Sequence, residues 1–242
     1  MKKKQASLNS SGTPIPDLTS EWTLNTDSNK YVKEFYLNNE KCPSYEVSWK
    51  KSDTLGRYSL IQKDLKQLMK MASIGAELAS DTPDIQGENN GYIFDSDDES
   101  ALIRKSLYIS LVITYGKCFA SASGRRLKLE KSAVFNTETQ DLKVLHEQLI
   151  EARNQYIAHG GNTDLESSSV SLVFHPNLSN KVPPAISVDS YYVNSLSKSS
   201  FKRYQKLIEY LNDFVVNKMN VLYEKIYKEH IINQVDDLYA KI

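Results

Sequence analysis

Cysteine is scarce: Cys42 and Cys118 are the two in 242 residues, far apart and outside any ligand spacing. That excludes a disulfide scaffold and a cysteine metal site, and both read as free thiols in a reducing compartment. Glycine is thin too, nine in all, with no run that would cradle a nucleotide phosphate, and no internal repeat is present. Neither sign of charge is in excess, since 30 Lys+Arg face 30 Asp+Glu, so no global field draws nucleic acid or a membrane. The most apolar stretch, residues 107–115, falls far short of the roughly 20 residues a bilayer requires. The basic start MKKK has no apolar run behind it, which argues against a secretory signal. The expectation is a soluble, cytoplasmic protein. Its 40% hydrophobic content suffices for a core in a chain of this length.

Residues 1–30 are rich in Ser, Thr, Asn and Pro with few large apolar groups, the composition of a loosely ordered arm. Residues 31–50 add Tyr31, Phe35, Tyr36, Leu37, Tyr45, Val47 and Trp49, enough to settle on a surface as a short helix and an extended piece. Residues 1–50 are therefore read as a partly ordered N-terminal arm and 51–242 as one helical domain. Leu60, Ile61, Leu65, Leu68, Met69, Ala72, Ile74 and Leu78 predict a helix over 58–79. Residues 81–99 follow with seven acids and no Lys or Arg. A metal site and a solvated loop that caps the next helix both fit such a run. Calcium-loop spacing with its closing Glu is absent, and the loop is the expected reading.

A second helix is predicted over 98–119. Leu107, Ile109, Leu111, Val112, Ile113 and Tyr115 make its middle apolar nearly all round, which calls for burial by other helices or by a partner chain. From 104 to 131 seven basic residues face one acid, Glu130. Arg125, Arg126 and Lys128 lie just before the next helix and are candidate contacts to an RNA backbone; a solvated loop is the other reading.

Residues 137–161, TETQDLKVLHEQLIEARNQYIAHGG, predict one helix with both ends marked. Thr137 and Gln140 fit a capping box, and Gly160 and Gly161 a left-handed stop. Leu142, Leu145, Leu149, Ala152 and Tyr156 share one face. Arg153 and His159 border it, each about 60° from its centre on an ideal helix. His146 reads as a packing histidine. Beyond, Val170, Leu172 and Phe174, then the turn chemistry HPNLSNKVPP, then Ile186, Val188 and Tyr192, predict a β-hairpin over about 169–193. His175, at its turn, is a surface residue. The last helix, 198–229, carries an apolar stripe from Tyr204 to Ile226 and is longer than the helix before it needs as cover. Part of that stripe is available to a second subunit.

Cleavage of RNA by its own 2′-hydroxyl needs a base, an acid and positive charge on the phosphate. A histidine trades protons near pH 7, an arginine holds phosphate bidentately, and an amide can orient either partner. Arg153, Asn154 and His159 supply these groups without a metal or other cofactor. Ideal helix geometry sets Arg153 and Asn154 about 100° apart and Asn154 and His159 about 140° apart. One helix therefore cannot aim all three at one phosphate, whereas two copies about a two-fold axis can pool theirs. The plainer reading is also open: a His favoured by the helix dipole, and an Arg paired with Glu147 or Glu151.

The seven residues RNQYIAH, Arg153 to His159, resemble the signature of the HEPN superfamily: an Arg, a polar residue, and a His a few positions on. ARNQYIAHG is most similar to its abortive-infection branch. In outline only, the helix pattern extends the likeness over residues 58–230. Pattern and resemblance together predict a mainly α fold, a bundle of three or four long helices with the β-hairpin inserted before the last. The resemblance implies a metal-independent endoribonuclease acting as a homodimer in phage defence or a toxin–antitoxin system, with an antitoxin or regulatory protein as a further partner. Arg153 would hold the phosphate, His159 would be the acid/base, and Asn154 would orient. Some HEPN toxins are silenced by adenylylation of a tyrosine two positions after the His; Gly161 stands there, so that control is not expected. The alternative is a non-catalytic HEPN-like dimeric module that binds a partner protein or a nucleotide.

Overall fold

The first described elements are strands. In the computed structural model the described residues are 18–79, 92–94, 99–121, 127–157, 166–177, 179 and 182–242. Strands β1 (Leu18–Asn25), β2 (Lys30–Leu37) and β3 (Glu40–Cys42) form an antiparallel sheet in that order. Leu18, Ser20, Trp22 and Leu24 alternate with polar residues along β1, the period of a strand. The turns are set by asparagine. The Asn25 side chain accepts from the N–H groups of Asp27 and Ser28 at 3.1 and 2.9 Å. Asn38 and Asn39, the whole of the second turn, have φ of 50° and 68°. Two left-handed residues in a two-residue loop match the twist of the strands they join.

Helix α1 (Lys50–Leu78) begins earlier than its apolar spacing predicts. Its first turns are polar and are held locally: Ser52 donates to the Trp49 carbonyl at 2.8 Å, and Arg57 pairs with Asp53 one turn back. Next come β4 (Tyr92–Phe94), α2 (Glu99–Phe119), α3 (Lys131–Val134), a 3-10 turn at Thr137–Thr139 and α4 (Gln140–Glu151). A π-helical segment, Ala152–Ile157, continues α4. Strands β5 (Glu166–Val173) and β6 (Ala185–Leu196), helix α5 (Lys198–His230) and the short α6 (Val235–Tyr239) complete the order. The second sheet is antiparallel in the order β4-β6-β5, with β5 at an edge.

The expected mainly α bundle is therefore corrected: the fold is mixed α and β, with two three-stranded antiparallel sheets beside the helices. The hairpin before the last helix is present, but β4 joins it. Residues 18–42, expected as an arm with a short helix, are strand: Leu18, Trp22 and Leu24 alternate along β1, and two asparagine turns pair it with β2 and β3. No described helix is long and apolar enough to cross a membrane.

The chain divides into two compact units. One takes the described part of Met1–Leu60 with Phe214–Ile242. There Trp49 stacks on His230 with ring centroids 4.6 Å apart, and Lys51 pairs with Glu229. The other is Ile61–Asp213. Its core holds Leu65 and Leu68 of α1, Tyr108, Leu111 and Tyr115 of α2, Leu149 of α4, and Phe201, Leu207 and Leu211 of α5, all fully buried. In the middle of α2, residues 107–115, Ile113 is the exposed position, while Leu102 and Ile103 near its start are exposed as well.

Candidate functional site

The candidate site grows from the contact between α2 and α4. Asn136 caps the 3-10 turn that leads into the second of these: its side chain accepts from the N–H groups of Glu138 and Thr139 at 3.0 and 3.2 Å. In return Thr139 Oγ1 accepts from the Asn136 N–H at 2.9 Å, completing a capping box. The box thus sits on Asn136 and Thr139, in place of the expected Thr137 and Gln140. Further along, Tyr204 of α5 donates to Gln148 Oε1 at 3.4 Å.

His146, at the middle of α4, is buried at 5% exposure. Its Nδ1 lies 2.8 Å from the Tyr115 hydroxyl of α2. The rings of Phe119 and Phe135 flank it at centroid distances of 4.4 and 5.0 Å. Burial, aided by the Lys131 charge, pushes its pKa down to about 4. Burial also raises the Tyr115 phenol well above its ordinary value. With both groups neutral at pH 7, they share one hydrogen bond whose donor is set by the imidazole tautomer. The histidine ties α4 to α2 and is the packing residue its sequence position suggests.

Two turns on, the regular helix gives way to the π-helical segment, whose i→i+5 bonding accommodates an extra residue per turn. Arg153 and Asn154 stand on it, the first half-buried and the second exposed. The Arg153 stem lies across α2 at Gly116, where a Cβ would collide with its Cδ. Its guanidinium donates to Asn154 Oδ1 at 2.9 Å. The separation of about 100° expected for an ideal helix therefore does not part these two side chains: the long arginine reaches back to its neighbour. Among the described residues Arg153 pairs with no carboxylate. Glu147, one of its expected partners, pairs with Lys131, which lowers the carboxyl's pKa through the hydrogen bond.

His159 lies outside the described residues, as do Gly160, Gly161, Arg125 and Arg126. Lys128, the remaining member of the basic track, faces Glu130 at 3.4 Å. Other bases of that stretch are also engaged internally. Buried Arg104 donates to the last carbonyl of α1, Leu78 O, at 3.1 Å and to Ser100 Oγ at 2.6 Å. Lys117 lies 3.5 Å from the buried Asp64. Most of the acidic stretch 81–99 is outside the described residues; among those that are described, no cluster of His, Cys, Asp and Glu could hold a metal.

Gly116 is the site residue that sequence reasoning missed. A lone glycine inside an otherwise apolar helix was the available signal, since such a residue costs helix stability unless something lies against it. Comparison with models of known families, with curated proteins and with solved structures found no match for this chain.

Proposed function

We propose that this chain is a metal-independent endoribonuclease of HEPN type that works as a homodimer. The observation that carries the reading is the Arg153–Asn154 pair. A guanidinium whose stem is seated on a glycine, whose fork is oriented by an amide and which no described carboxylate neutralises is prepared for an anion. Phosphate is the anion that an arginine fork fits bidentately.

His159 enters from the resemblance of RNQYIAH, as acid and base. In the reaction the 2′-oxygen attacks phosphorus while the bond to the 5′-oxygen breaks. One histidine takes the 2′-hydroxyl proton and a second delivers a proton to the leaving 5′-oxygen; two copies of the chain supply the pair. Arg153 balances the charge that gathers on the non-bridging oxygens. The products are a 2′,3′-cyclic phosphate and a 5′-hydroxyl. The same resemblance supports a setting in phage defence or a toxin–antitoxin pair, with an antitoxin or regulatory protein as partner.

The test uses purified wild type, His159→Ala and Arg153→Ala with a mixed RNA pool in chelator. Wild type is expected to leave cyclic phosphate ends, and each variant to lose about 100-fold or more in rate. Cleavage by His159→Ala at the wild-type rate overturns the assignment. Cleavage by none of the three supports the non-catalytic module that binds a protein or a nucleotide.

A further inference from the structure

The β5–β6 hairpin shows an uncovered apolar face. Residues directly opposite on antiparallel strands project to the same side. Val170 is opposite Val188 and Leu172 opposite Ile186, so all four share one face. They are 70, 70, 58 and 71% exposed respectively. Such values are extreme for four neighbouring aliphatic side chains, and a contiguous patch of this kind marks an interaction surface. Phe174, just past the end of β5, is exposed as well.

The neighbours on this face identify the partner. Ser168 and Ser190 continue it, and Glu166 stands at its far end. Asp189, opposite Ser169, belongs to the other face, along with Ser167 and Ser171. No charge lies among the four aliphatic residues. An uncharged aliphatic patch meets no like-charge repulsion when it faces a second copy of itself. Across a two-fold axis near Val170 and Leu172, the two Glu166 residues fall at opposite ends and do not meet. The exposed side chains amount to roughly 1,000 Å² over two copies, about the threshold for a specific interface. Aliphatic rows on two twisted sheets interdigitate when stacked.

We propose that a second copy of this chain docks here, the two β5–β6 hairpins packed face to face through Val170, Leu172, Ile186 and Val188. The pairing does not depend on the nuclease reading, and would serve a binding module equally.

Light scattering coupled to size exclusion tests it on the full chain at about 50 μM, well above the Kd of a modest interface. Wild type is expected at twice the 27.5 kDa chain mass. Ile186→Lys with Val188→Lys should give a monomer with an unchanged circular dichroism spectrum. Ser169→Lys with Ser171→Lys, on the opposite face of the same hairpin, should remain dimeric. A monomeric wild type overturns the proposal, and so does a dimer that survives the Ile186 and Val188 changes. A dimer lost in both pairs of variants would place the contact at the β5 edge and likewise overturn it. Should the charged face disturb folding, Val188→Cys in a Cys42→Ser background decides instead. A short bis-maleimide should then join two chains, and failure to do so counts against the interface. The RNA assay is read separately, so a dimer built elsewhere on the chain would leave the nuclease assignment standing.

Discussion

At Gly116 the absence of one carbon decides where an arginine lies. Alanine there would gain about 1 kcal/mol of helix propensity. It would also place a methyl where the Arg153 stem now runs. Gly116→Ala should therefore keep or raise the melting temperature and, under the proposed ribonuclease reading, cut RNA cleavage about tenfold or more; a rate equal to wild type would show that the seat does not position the guanidinium. His146 makes a different demand. Its pKa is depressed to about 4 in the fold, from an ordinary 6.5. The unfolded chain thus binds more protons between those values, and stability falls as pH drops through that window. Relative to pH 8 the loss should be about 2 kcal/mol at pH 5. Urea titrations at the two pH values measure it, and His146→Phe should flatten the difference. Gly75 of α1 is a third such position, since a Cβ there would meet the Phe201 ring. Gly75→Ala should lower stability by about 1–3 kcal/mol despite its better helix propensity.

At the scale of elements, the 3-10 turn that leads into α4 rests on a side chain just before it. Asn136→Ala removes the side-chain half of the capping exchange, leaving its own N–H to Thr139 Oγ1, and should cost about 1 kcal/mol, a few degrees in a thermal melt. The sequence pointed to a cap here but set it one residue late, because Thr137–Gln140 and Asn136–Thr139 satisfy the same spacing rule. Long periodic elements were the readable ones. The predicted 98–119 and 198–229 correspond to Glu99–Phe119 and Lys198–His230, and the hairpin strands fall where alternation placed them. The first sheet was hidden by composition. Its polar alternation resembles a loose arm, and the signal passed over was the Asn38–Asn39 pair, the chemistry of a tight hairpin turn. The π-helical segment had no signal at all. Nothing in ARNQYI distinguishes it from a regular turn, yet it carries Arg153 and Asn154. The Arg–Asn hydrogen bond is equally beyond a reading by spacing, because it depends on how a long side chain bends rather than on where its Cα stands.

At the scale of the whole molecule, the balance of 30 basic and 30 acidic residues limits how RNA would be held under the proposed ribonuclease reading. A protein that binds nucleic acid through a broad basic field releases many counterions, and its affinity collapses with salt. Among the described residues of the basic stretch, Arg104, Lys117, Lys128 and Lys131 each face a partner within the chain. If the two Arg153 residues of a dimer carry the phosphate contacts, about two charges are neutralised. For a single strand the slope of log K against log salt is then about −1.4. Fluorescence anisotropy with labelled RNA and the His159→Ala protein, between 50 and 300 mM salt, measures that slope. Arg153→Ala should flatten it towards zero. A slope steeper than about −3 would require several further cations at the interface and would move the binding surface away from this pair. A shallow slope that persists in Arg153→Ala would detach RNA from the guanidinium altogether. The small-footprint reading thus stands or falls on an equilibrium quantity that does not require the enzyme to turn over.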